Sequence, residues 1–311
     1  MWLGIRNKIG RIKRLIFRLA SRNSDSFVFA SPETFQKGEI LLDRFREVIS
    51  DPLNTLIERV PESGFVDDDG FVRLHNGNKV SFRGPNAYYG GFSDLLIFNR
   101  GVHEPLEEYC FQEVLKKIDV ENPSMLELGS YWAHYSMWLL KKFPAASVHC
   151  VEPDSTSIAV GKFNFALNGY VGNHINSGIG DGVFTVDRFL EETGLYRMQI
   201  LHCDIQGAEV KMLDGAFVAF QSAVFDYVFI STHSNGLHDE VLKYLRSHGY
   251  IIEVSSDFES HTTSYDGFIL ARSANAVPVM SNFEPLGRTE ILASNPHKLV
   301  DYLRKILNRH E

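Results

Sequence analysis

The spacing of hydrophobic positions changes along the chain, and each spacing predicts a different element. Trp2, Ile5, Ile9, Ile12, Ile16 and Leu19 recur at three- and four-residue steps, which places them on one stripe of a helix with cations over its other face. Residues 25–65 hold helix-like stretches such as Glu39 to Ser50. Two alternating runs, Phe71 to His75 and Lys79 to Arg83, then flank Asn76-Gly77-Asn78, whose residues tolerate the positive φ of a tight turn, so a β-hairpin is expected. Gly84-Pro85 and Gly90-Gly91 break the chain, and a helix is expected from Pro105, where a missing N–H is harmless in the first turn, to about Ile118.

Between residues 124 and 272 short apolar runs alternate with helix-length segments, the pattern of a parallel sheet built from crossover units. Strands are predicted at Ser124 to Leu128, Ser147 to Glu152, Asn173 to Ser177, Met198 to Asp204, Asp226 to Ser231, Tyr250 to Ser255 and Gly267 to Ala271. Helices fall between the first six, for example Ser155 to Asn168 and Leu237 to His248. Only a polar loop separates the last two strands, which should therefore run antiparallel. Asn295-Pro296 opens a final helix to about Asn308. The pattern divides the chain into a basic helix (1–24), a cap with the hairpin (25–104), an α/β domain (105–275) and a C-terminal extension with a helix (276–311).

Charge sharpens this division. Residues 1–24 carry seven cations and no acid, so the remainder holds −15 of a chain whose total is −8. The leader through residue 22 reads either as a peripheral anchor on an anionic membrane face or as a helix packed on the acidic body or a partner. It is too charged to span a bilayer. An acidic body also argues against nucleic acid as a partner, because that affinity comes from clustered Lys and Arg. Three dispersed cysteines, Cys110, Cys150 and Cys203, form neither a disulfide framework nor a zinc knuckle. A cytoplasmic location is expected, at the inner face of the membrane if the leader binds lipid. A hydrophobic content of 44% excludes disorder of the whole chain.

In an open parallel sheet, ligands bind beyond the carboxyl ends of the strands. After the first strand stands Glu127-Leu-Gly129-Ser130-Tyr131-Trp-Ala133. Gly129 permits a tight turn, but a single glycine of a G-x-G-x-x-G is inadequate for an NAD-dependent sugar-modifying enzyme. The second strand ends in Glu152, where a carboxylate can accept hydrogen bonds from both hydroxyls of a ribose.

These segments resemble the class I S-adenosylmethionine-dependent methyltransferases, and the FkbM-like branch most. The family's hydrophobic-D/E-x-G-x-x-x-G motif is similar to Met125 through Ala133, its N-x-x-x-N-G to Asn164 through Gly169, and its A-V-G-D-x-x-G to Gly178 through Gly182. Thr185 to Leu190, Ile200 to Glu209 and Met212 to Ala216 match its T-L-D, L-K-I-D-V/I-E-G-x-E and x-G-A strings in order and spacing. The resemblance covers residues 105 to 272. It implies a seven-stranded Rossmann-like sheet of order 3-2-1-4-5-7-6 with strand 7 antiparallel, and S-adenosylmethionine as cofactor. It further implies that Glu127, Gly129, Ser130 and Tyr131 approach the methionyl part, Glu152 the ribose, Asn176, Ser177 and Gly178 the adenine, and Asp204 the sulfonium. Three departures stand out: Ala133 replaces the second motif glycine, Gln206 replaces the acid of D-x-E-G, and the segment from Gly182 to Thr185 is short.

The activity implied is O-methylation of a sugar- or glycan-type acceptor; a non-catalytic methyltransferase-like partner module is the alternative that Ala133 and Gln206 leave open. Methylating a hydroxyl requires a positioned proton acceptor. Asp204 and His233, just past the fourth and fifth strands, are the catalytic candidates, and His261 and Asp266, in the hydroxyl-rich loop before the last strand, the acceptor-side ones. His233 also reads as a loop histidine, Glu209 as an acid complementing a helix N-terminus, and His238 as a surface residue. A divalent metal on Asp204 and His233 would need a third ligand that the sequence does not identify.

Overall fold

The computed structural model describes residues 39–88, 90–258, 262–281 and 283–308. The helix expected over 1–24, with its membrane or partner contact, lies outside the described residues, as does His261. Helix α1 (Glu39–Ser50) falls where its periodicity puts it. The hairpin forms between β1 (Phe71–Arg73) and β2 (Lys79–Ser81), with Phe71 opposite Ser81 and Gly77 at φ +90° in the turn. Helices α2 (Asp94–Phe98) and α3 (Pro105–Lys117) follow, the latter with Pro105 in its first turn.

The main sheet holds β3 (Ser124–Leu128), β4 (Ser147–Val151), β5 (Asn173–Ile175), β6 (Met198–Cys203), β7 (Phe225–Thr232), β8 (Ile251–Ser256) and β9 (Gly267–Arg272). Its order is β5-β4-β3-β6-β7-β9-β8. The neighbours from β5 to β7 pair in parallel, and β9 runs antiparallel to both β7 and β8. Counted within the sheet this is 3-2-1-4-5-7-6 with the last strand reversed, as expected. Strands β4, β5 and β6 stop one or two residues short of the expected ends, before Glu152, Asn176 and Asp204, although Glu152 N still donates to Ile175 O and Asp204 N to Leu128 O; the bounds of β7, β8 and β9 also shift by one residue.

Alternation along the strands sends Leu126, Leu128, Leu201, Cys203, Val228 and Ile230 into one core. That core is closed by α6 (Val186–Thr193), α7 (Glu209–Asp214), α8 (Phe217–Gln221) and α9 (Asn235–Ser247). The opposite face is covered by α3 and α4 (His134–Lys142), with Phe111 5.4 Å from Phe229 and 5.2 Å from Trp138. This second layer also buries charge. His202 Nε2 lies 2.5 Å from Glu107 Oε1, and the Ser231 hydroxyl donates to Glu107 Oε2 across 3.1 Å. Burial pushes the Glu107 carboxyl up, and Glu107 holds the proton on His202 against the same burial.

Helix α5 (Ser155–Asn168) ties the hairpin to the sheet. Asn168 Oδ1 accepts from Lys79 N and its Nδ2 donates to Lys79 O, both at 2.8 Å, while the Tyr170 hydroxyl donates to Asn78 Oδ1 at 2.6 Å. Helices α10 (Arg288–Ala293) and α11 (Pro296–Asn308) end the described chain, α11 where Asn295-Pro296 predicts it. All three cysteines are buried and none is in a disulfide. No helix among the described residues is long and apolar enough to cross a membrane.

Candidate active site

At the carboxyl ends of β3, β4 and β6 lies a cavity of about 350 Å³ whose walls include Glu127, Gly129, Ser130, Tyr131, Glu152 and Asp204. A larger hollow of about 770 Å³ sits at the amino ends of β4 and β5 and has no carboxylate in its wall. The loop between β3 and α4 shapes the smaller cavity. Gly129 has φ +74°, and a Cβ there would stand 1.7 Å from the backbone oxygen of Asp204, so only glycine lets this loop lie across the end of β6. Gly129 and Ser130 N–H both donate to Val151 O, at 2.9 and 3.1 Å. Ala133, standing where the resemblance has glycine, adopts the same left-handed region at φ +59°, and Tyr131 does so at φ +38°. The substitution therefore keeps the backbone path at a local cost of roughly 1 kcal/mol. Sequence reading missed Gly161 of α5, where a Cβ would come within 2.8 Å of Tyr131 O.

Glu152 presents its two oxygens to this loop. Oε2 accepts from Tyr131 N and Oε1 from Asp154 N, each at 3.1 Å, and burial raises the carboxyl above its ordinary range. Glu127 is buried, also raised by burial, and accepts from Ser136 N in the first turn of α4 across 3.1 Å. The Ser130 hydroxyl is buried with no hydrogen-bond partner. Asn176, Ser177 and Gly178 stand apart from this wall: Asn176 Nδ2 donates to Glu152 O and Pro153 O, at 2.8 and 2.9 Å, and Ser177 Oγ to Gly178 O.

Asp204 joins the cavity to a second cluster. His233 Nε2 is 3.2 Å from Asp204 Oδ1 and 3.4 Å from Asp266 Oδ1, and its Nδ1 is 2.6 Å from Glu209 Oε1. Burial opposes a charge on His233, but the pull of Asp204 and Glu209 with the charge of Asp266 outweighs it and raises the imidazole to about 10. His233 is thus a cation at neutral pH. Asp266 is pushed up to about 7, by burial first and then by the charges of Asp204 and Glu104. Gln206, in place of a family acid, donates to Asp204 Oδ1 across 3.1 Å.

Two readings of single residues need correction. Glu209 does sit in the first turn of α7, but it is fully buried and bonded to His233, so complementing the helix is only part of its role. His238 is not a surface residue: it is 3% exposed and bridges the hydroxyls of Thr232 and Ser255, each at 2.9 Å. Buried His103 and partly buried Glu104, which line the same cavity, had no signal in the sequence beyond a histidine and an acid just ahead of a helix.

A profile of the methyltransferase FkbM domain matches residues 104–252, taking in β3 through β7 and ending as β8 begins. Among solved structures, the chain is similar to the precorrin-6y C5,15-methyltransferase of Geobacter metallireducens GS-15, with 12% identity, 52% of this chain and 88% of that one covered, and a TM-score of 0.40. It is also similar to a ribosomal protein L11 methylase of Lactobacillus delbrueckii subsp. bulgaricus, with 14% identity, coverage of 56% and 81%, and a TM-score of 0.39. For TrmK of M. capricolum in complex with S-adenosyl-homocysteine the figures are 14%, 64%, 83% and 0.38. No curated protein sequence matches the chain. Residues 104–252 match the methyltransferase FkbM domain over β3 to β7 of a seven-stranded, Rossmann-like sheet whose reversed strand β9 follows beyond the match, so the chain carries a methyltransferase domain.

Proposed function

We propose that the chain methylates a hydroxyl oxygen of a sugar- or glycan-type acceptor, using the cavity below Gly129 for the methyl donor and the carboxylates around His233 for the acceptor. The observation that carries this reading is Asp204, which lines the cavity and also lies within ion-pair distance of His233. The residues present fit the donor. The buried, unpartnered Ser130 hydroxyl and the Glu152 carboxylate offer hydrogen-bonding atoms beside a loop whose glycine cannot carry a side chain. When bound, S-adenosylmethionine supplies a methyl group made electrophilic by its sulfonium.

Glu152 would hold the ribose hydroxyls, and Ser130 with Glu127 would face the methionyl part. As the acceptor oxygen bonds to the methyl carbon and the carbon–sulfur bond breaks, its hydroxyl proton passes to the Asp204–Asp266 pair. Asp266 suits this step because its pKa of about 7 lies close to the working pH. His233, held cationic by Glu209, positions both carboxylates and balances their charge. Because Ala133 keeps the left-handed turn and Gln206 hydrogen-bonds to Asp204, these departures give no support to a non-catalytic module.

Two measurements test the reading. S-adenosylmethionine at a hundred times its dissociation constant should stabilise the protein by about 2.7 kcal/mol, and Glu152→Ala should abolish this shift. Acceptors from cells carrying the gene should then be 14 daltons heavier than those from cells lacking it; unchanged glycan masses would refute the acceptor class, and an absent thermal shift the donor site.

A further inference from the structure

Beside the proposed donor cavity, whose wall His134 shares, the structure gathers a different set of groups. His75 lies in the β1–β2 turn, Glu108 in the first turn of α3, and His134 is the first residue of α4, directly after the loop that begins at Gly129. All three are buried, at 1%, 0% and 1% exposure. One ligand atom from each, a ring nitrogen or a carboxylate oxygen, lies within 4.8 Å of the other two. We propose that His75, Glu108 and His134 bind one divalent transition-metal ion, with zinc as the ion their chemistry fits best. Two imidazoles and a carboxylate are a ligand set that holds zinc with a fourth position left for another donor.

The hydrogen bonding of these groups is what points to an ion. Both ring nitrogens of His134 are buried without a hydrogen-bond partner, while His75 Nε2 and Glu108 Oε2 stand 2.8 Å apart as a buried pair beside it. An orphaned buried polar atom is costly, and an ion between the three side chains would give His134 a partner. The surroundings also orient them as ligands are oriented. His75 Nδ1 faces Glu58 O at 3.4 Å, leaving Nε2 turned inward. Glu108 Oε1 accepts from His103 N and Glu104 N, at 2.8 and 3.1 Å, leaving Oε2 for the ion. His103 closes the cluster on one side, its ring paired with Glu108 Oε1 and, at 3.2 Å, with Glu104 Oε2. Trp138 packs 4.3 Å from the His75 ring, and Trp132 stacks on His134 at 5.1 Å, which shields the cluster from water.

His75 lies outside the stretch that matches the methyltransferase domain, whereas Glu108 and His134 lie within it. A bound ion would pin the hairpin and α3 to the end of the loop that shapes the donor cavity. Its role is that of an anchor, and no step of methyl transfer passes through it.

Metal analysis of the purified, untagged full-length chain tests this. After stripping with a chelator and reloading with zinc, one ion per chain should remain after desalting. Stripping should lower Tm, and zinc but not magnesium should restore it. His134→Phe and His75→Phe, which keep an aromatic ring in the pocket, should lose the ion. Cobalt(II) in the stripped wild type should give the visible absorption bands of a four-coordinate site, a readout that stands even if the variants do not fold. A wild type that retains no zinc and gives no cobalt spectrum, or a folded His134→Phe that still holds one ion per chain, would overturn the proposal.

Discussion

Gly129 and Gly178 both come from the segments that resemble the family's donor motifs, yet the structure separates them sharply. A Cβ on Gly129 would collide with the backbone of Asp204, whereas one on Gly178 meets nothing within 4 Å and no positive φ is needed there. Gly129→Ala should therefore destabilise the chain by more than about 2 kcal/mol and abolish donor binding, the collision being with main chain that cannot swing away. Gly178→Ala should leave Tm and donor affinity close to wild type, as differential scanning fluorimetry with and without S-adenosylmethionine would read. At this scale the sequence was informative only where a residue's role depends on near neighbours. Asp204 and Glu152 were readable because they end apolar strands. The partnership of His233 with Glu209, and of His202 with Glu107 ninety-five positions away, was not, because burial and distant packing create it. The histidines within apolar segments, His134 and His202 above all, were the one available hint.

Among the elements, the hairpin and α5 were each legible from alternation and capping, but the bond between them was not. Asn168 satisfies both the N–H and the C=O of Lys79, in the manner of a neighbouring strand, and nothing in either local pattern marks that match. Asn168→Ala should remove both hydrogen bonds to Lys79 and a third to Asn164 O, at about 1 kcal/mol each, and lower the unfolding free energy by about 3 kcal/mol in urea titrations. Hydrogen exchange should locate the loss in residues 71–81. Strand positions were readable to within one or two residues because buried parallel strands are unbroken apolar runs. Helix α3 was placed well by Pro105, but its burial from Pro105 to Leu115 was not foreseen, since Glu107, Glu108, Gln112 and Glu113 suggest a solvated face.

For the whole molecule, pH connects stability with chemistry. His233 has a folded pKa of about 10, above the roughly 6.5 of an unfolded histidine, so its ion pairs stabilise the fold fully below about pH 6.5 and lose that effect as pH rises toward 10. Asp266 must shed its proton, near pH 7, to accept one from substrate. Methyl transfer should therefore rise through about pH 7 and fall near pH 10, and Asp266→Asn should lower kcat by about 10²–10⁴-fold while donor affinity persists. A flat profile, or an active Asp266→Asn, would remove Asp266 from the proposed step. The cluster has a further consequence on the reading proposed here. With three carboxyl groups, Asp204, Glu209 and Asp266, set around the one imidazole of His233, the acceptor edge is richer in acid than in base. Such an edge repels anions, so a sugar already bearing phosphate or sulfate should compete poorly with its neutral counterpart. Decoration with those groups would then have to come after methylation, which fixes the sequence in which the acceptor is built.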